Sequence, residues 1–135
     1  MANTVTTKRI SSSLKTMLVE NDATTLSGST YVAIIDVVDV ESYDRASIQM
    51  LANDSEALTC QVWGSLFDSA IALPVPNSKW VQIGDDIVVA INTGALKSIA
   101  TTALRLLAVT VKATDGTATS DITAGDCKVF LQGTI

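Results

Sequence analysis

Between residues 44 and 65 apolar and polar side chains alternate almost one for one. In "DRASIQMLA" (44–52), Ala46, Ile48 and Met50 share one parity and Arg45, Ser47 and Gln49 the other. In "ALTCQVWGS" (57–65), Leu58, Cys60 and Val62 oppose Thr59, Gln61 and Trp63. A period of two is the signature of a half-buried strand. The turn cluster "NDSE" (53–56) separates the two, so the pattern predicts a β-hairpin. Upstream, "STYVAIIDVVDV" (29–40) is a long strand, interrupted by Asp36 and Asp39. Downstream, "KWVQI" (79–83), "IVVAIN" (87–92), "ALRLLAVTVKAT" (103–114) and "CKVFLQGTI" (127–135) read as further strands.

The stretches between them are turns and loops. "LFDSAIALPVPNS" (66–78) holds Pro74 and Pro76, which remove ladder donors and mark a loop or a sheet edge. "GDD" (84–86) is a turn, and "DGTATSDITAGD" (115–126) a polar loop. "TGALKSIATT" (93–102) is the one candidate helix, with Leu96, Ile99 and Ala103 at helical spacing in a short, Thr-rich run. About seven or eight strands with turn signals roughly every 8–12 residues predict an all-β fold, an antiparallel β-sandwich or jelly roll. Val, Ile, Leu and Ala dominate the apolar content, and branched side chains suit pleated strands.

The first 29 residues differ from the rest. "MANTVTTKRISSSLKTMLVENDATTLSGS" is rich in Thr and Ser, and its apolar groups Ile10, Leu14, Met17, Leu18 and Val19 are too few for a core. No apolar run of about 7–15 residues follows its cations, so it does not read as a signal peptide. We therefore expect two parts: an extended N-terminal arm over 1–29 and a sandwich domain over 30–135. An extended arm of this length spans at most roughly 100 Å. It can add a strand to a neighbour's sheet, with backbone hydrogen bonds supplying affinity.

Charge sharpens that division. Lys8, Arg9 and Lys15 give residues 1–19 a charge of +3, leaving −8 for the remainder of a chain whose net charge is −5. A basic arm on an acidic body suits docking onto an acidic neighbour, including a second copy. The acidic body speaks against nucleic acid as partner, and no apolar run reaches the roughly 18 residues of a membrane span. We expect synthesis and folding in the cytosol.

Catalytic chemistry finds little to use. The chain has no histidine, so neither a Ser/His/Asp triad nor a Cys/His pair can be built, and zinc or copper sites are disfavoured. "TGALKS" lacks the glycine directly before lysine that a phosphate loop needs. Asp115, Asp121 and Asp126 match no EF-hand spacing and read as turn formers. No cofactor is implied. Cys60 and Cys127 share strand parity with Leu and Val, which makes them buried thiols or the two ends of an inter-strand bridge. Trp63 and Trp80 either cap the core or form exposed platforms for sugars or a protein interface.

The opening "MANTVTTKRI", with Met-Ala-Asn, Thr/Val alternation and a Lys-Arg pair, resembles the start of small virion proteins of tailed bacteriophages. That resemblance implies a capsid decoration, or cement, protein: β-rich, often trimeric, and docked on the major capsid protein through N-terminal arms. On this reading Lys8, Arg9, Ile10, Leu14, Lys15, Met17 and Leu18 are the contacts, with Trp63 and Trp80 as further partner-binding residues, and the protein is a non-enzymatic homo-oligomer of the virion. The alternatives are a carbohydrate-binding or adhesin β-sandwich, and a fibre subunit that polymerises by strand exchange.

Overall fold

The computed structural model describes residues 3–9, 14–26, 28–52, 56–67, 79–115 and 121–134. Every regular element among them is a strand. They are β1 (Asn3–Arg9), β2 (Leu14–Asn21), β3 (Thr24–Thr25), β4 (Val32–Asp39), β5 (Arg45–Ala52), β6 (Leu58–Ser65), β7 (Val81–Gln82), β8 (Ile87–Val89), β9 (Thr93–Ala100), β10 (Leu106–Ala113), β11 (Asp121–Ile122) and β12 (Cys127–Thr134). Eight of these run seven or eight residues, and four are short pieces of two or three.

Two antiparallel sheets form a β-sandwich. The first has the order β1-β2-β12-β5-β9. The second has β4-β10-β6-β7, with β8 also paired to β6. A two-stranded β3–β11 ladder stands apart from both. The inward parity of each sheet makes one core: Val19, Ile48, Met50, Val129 and Leu131 from the first meet Ile35, Val62, Leu107, Val109 and Val111 from the second. All ten are fully or almost fully buried. At roughly 1.5–3 kcal/mol per fully buried branched side chain, this layer is the main source of stability.

Parity predicted the buried face of β5 and β6 correctly, but the expected hairpin does not form. β5 pairs with β12 and β9, whereas β6 pairs with β10, β7 and β8. The two strands belong to opposite sheets. Alternation reports which side of a strand is buried and says nothing of which strand lies beside it.

The candidate helix at 93–102 is strand β9. Ala95, Lys97 and Ile99 are half-buried while Leu96 is 69% exposed, a period of two along an edge. The expected arm divides. β2 sits between β1 and β12, with Val19 fully buried in the common core. Asn21, also buried, accepts from the Cys127 N–H (2.8 Å) and donates through Nδ2 to the Asp22 (2.8 Å) and Thr123 (3.2 Å) carbonyls. These bonds tie the end of β2 to the turn that opens β12.

Candidate functional site

One row of side chains crosses the whole first sheet on its core side. It runs Val5, Val19, Val129, Ile48, Lys97, each the cross-strand partner of the next. The three middle members are buried. The two ends are different solutions to the same problem, since an edge strand offers unpaired N–H and C=O groups to any passing chain.

At the β9 end stands a lysine. Its Nζ donates to the Ile83 carbonyl (3.0 Å), bridging the seam between the sheets. Gly84 follows with φ +73°, a conformation that favours glycine, and the Lys97 ammonium lies where a Cβ on Gly84 would be. Inward-pointing charge on an edge strand is a known guard against edge-to-edge pairing.

At the β1 end stands Val5, on the core-facing row yet 54% exposed. Among the described residues β1 pairs with β2 alone. Its first residue closes the seam locally. Asn3 donates through Nδ2 to the Asp36 carbonyl (3.4 Å) and accepts from the Asp36 N–H (3.3 Å), on edge strand β4. Thr4, Val5, Thr6 and Thr7 carry no charge and all suit an extended backbone.

The other expected contact residues fall around this edge. Lys8 and Arg9 end β1, in register with Thr16 and Lys15. Ile10 lies outside the described residues. Lys15 places its Nζ over the Tyr43 ring, 4.7 Å from the centroid. Met17 packs against the core. Leu18 takes the opposite parity and pairs across strands with Phe130, itself 41% exposed, on the outer face. Leu14 lines an open cleft of about 270 Å³ with Asp44, Arg45, Gln132 and Gly133. Leu18 and Leu14 are therefore surface groups near β1, while Met17 serves the fold.

Trp63 and Trp80 meet on the outer face of the second sheet, in a small cluster with Leu106, Ala108 and Val37. Trp80 is 4% exposed, and its Nε1–H lacks a hydrogen-bond partner among the described residues. Trp63 is partly exposed and donates its Nε1–H to the Thr110 hydroxyl (3.0 Å). Beside it, Gln61 (3.1 Å) and Gln82 (2.7 Å) both donate side-chain amides to Asp86 Oδ1. Tyr31 stands near Asp86; burial, then the Asp86 charge, raises its pKa above the ordinary tyrosine value. Sequence reasoning read Asp86 only as a turn residue. The pairing of β6 with β7 is what brings Gln61 and Gln82 to one carboxylate.

Cys60 and Cys127 are free and buried, on facing sheets. Burial pushes the Cys60 thiol up to about 12, and burial with the nearby Cys60 raises Cys127 well above its usual value. Neither is a thiolate at neutral pH, so neither is poised as a nucleophile. Among the described residues no group of three or more acidic or cysteine side chains could hold a metal ion, Asp115, Asp121 and Asp126 included. No helix among them is long and apolar enough to cross a membrane.

No family model matches the chain, and no curated protein matches it either. Solved structures with some similarity to it are found. A Bacillus endospore appendage protein, described as one of a novel family of disulfide-linked pili, is 15% identical with a TM-score of 0.50, over 100% of this chain and 92% of that one. A structure of infectious bursal disease virus, Gx strain, is 8% identical with a TM-score of 0.45, over 98% of this chain and 33% of that one. The first likeness extends over nearly the full length of both chains, and the fold it shares with this protein is the two-sheet sandwich.

Proposed function

We propose that this protein is a non-enzymatic structural subunit that joins a larger assembly through the free edge of β1. The observation that carries this reading is the asymmetry of the five-stranded sheet: a lysine guards β9, while β1 ends the same row with an exposed valine and an uncharged Thr/Val backbone. A strand with those properties is what β-augmentation uses. The basic residues Lys8 and Arg9 sit at its end, on a chain whose residues beyond 19 sum to −8. A second copy thus offers both an edge and the complementary charge.

The finer form of the proposal is a tailed-phage virion protein. It docks on the major capsid protein as a decoration or cement protein, assembles as a homo-oligomer with trimer favoured, and uses β1 as the working part of the expected arm. The N-terminal resemblance supports this form. A second reading, a fibre-forming subunit, draws on the similarity to the Bacillus pilus protein across nearly the whole of both chains. Sedimentation velocity with negative-stain electron microscopy of the purified chain separates them. A discrete oligomer supports the decoration protein and filaments support the fibre subunit. A monomer at high micromolar concentration overturns both.

A further inference from the structure

The outer face of the second sheet lies away from the β1 edge and carries chemistry that assembly leaves unused. Trp63 and Ala108 are cross-strand partners, and Thr110 lies two residues further along β10 on the same face. The indole reaches past Ala108 to bond Thr110, and both residues beneath it are buried, at 0% and 1% exposure. Trp63 packs beside Trp80, Leu106 and Ala108 and is partly exposed, so part of the indole is open to solvent. The hydrogen bond fixes that orientation. A pinned, partly exposed indole is suited to stacking.

Polar groups border the platform on one flank. Asp86 accepts from Gln61 and Gln82, with Tyr31 nearby, which orients its carboxylate and leaves both glutamine side chains with acceptor oxygens. Lys112 is two residues beyond Thr110, its Nζ 5.2 Å from the Tyr31 ring centroid. It supplies a positive charge opposite that of Asp86. From Ala108 to Lys112 along β10 is roughly 13 Å, longer than one sugar ring. An aromatic face, planar donors and acceptors held by one another, and charges of both signs match a neutral, hydroxyl-rich ligand that is flat on one side. Phosphate or sulfate would meet the Asp86 carboxylate.

We infer that this face, with Trp63 as platform and Asp86, Gln61, Gln82 and Tyr31 as hydrogen-bonding border, binds a neutral oligosaccharide. The inference goes beyond the assembly role and stands independently of it. It drops Trp80 from the sugar-binding pair that the sequence offered and adds Tyr31.

The two tryptophans supply a built-in control, because the intact chain has only two indole N–H resonances. Maltohexaose, cellohexaose and N-acetylchitohexaose are titrated separately into ¹⁵N-labelled protein. At least one should move the Trp63 indole resonance along a saturable curve and leave that of buried Trp80 in place. Asp86→Ala, at an exposed position, should weaken that binding at least about tenfold, the worth of a hydrogen bond to a charged group. Gln82→Ala should weaken it less. The inference is overturned if none of the three probes moves the Trp63 resonance, if both indoles move together, or if Asp86→Ala binds as tightly as the native chain. Because Trp63 belongs to the second sheet and β1 to the first, native self-association alongside a failed titration would leave the assembly reading standing.

Discussion

The two edge strands of the β1-β2-β12-β5-β9 sheet are nearly equal in length, at seven and eight residues, and one row of core side chains joins them, yet the row ends differently at each. β9 terminates the row with Lys97, whose ammonium is held by a carbonyl of the opposite sheet. β1 terminates it with Val5, half out in solvent. A lysine at that point makes pairing with another chain bury a charge, which is strongly unfavourable unless the charge is paired. A valine at that point makes pairing favourable, because it completes a burial that the isolated chain leaves unfinished. On the proposed reading, the difference makes β1, which among the described residues pairs with β2 alone, the edge that accepts a partner strand.

The comparison can be broken most violently by removing strands. Deleting residues 2–9 should leave a folded sandwich, whereas deleting residues 2–21 should abolish cooperative folding. The second deletion takes out Val19 and the Asn21 bonds and leaves β12 without a neighbour on one side. Circular dichroism with thermal melts checks both. Equal melts for the two truncations would mean that β2 is as dispensable as β1.

Single side chains sharpen it next. Val19→Ala removes buried methyl groups from the middle of the row and should cost about 2 kcal/mol. Val5→Ala, at the open end, should cost under about 0.5 kcal/mol in the monomer. Urea unfolding at low protein concentration measures both. A smaller effect, visible only in association, should follow Lys97→Val. This exchange opens the guarded edge, and the variant should form larger species than the native chain at equal concentration while melting within about 1 kcal/mol of it. No change in sedimentation would mean that Lys97 is not a guard.

How far the sequence could be read depended on what each pattern encodes. The parity of Ala46, Ile48 and Met50, and of Leu58, Cys60 and Val62, is a property of one strand against one core, and it was legible. The placement of β5 and β6 in opposite sheets depends on pairing at long range, which no local pattern carries. β9 was obscured because Leu96 and Ile99 fit a helical spacing by coincidence, while its true period rests on the half-buried Ala95, Lys97 and Ile99. β2 was absorbed into an expected arm because Met17, Leu18 and Val19 are consecutive apolar residues and conceal the alternation. Met17 and Val19 point to the core, while Leu18 points to Phe130 outside. Of the proposed contacts, the cations and Leu18 were visible as an unusual composition. Val5 was not, since its meaning comes from sharing a row with Lys97 on a strand four places away in the sheet. The carboxylate–amide border of the Trp63 face was hidden for the same reason.

The most direct test exchanges the character of the open edge. Val5→Lys puts at the β1 end of the row the same residue that stands at the β9 end, in a position already exposed in the isolated chain. Sedimentation velocity of the native protein and of Val5→Lys, at one high micromolar concentration, measures the outcome. The account predicts an oligomer for the native chain and a folded monomer for the variant. An oligomer of unchanged size in Val5→Lys would contradict it.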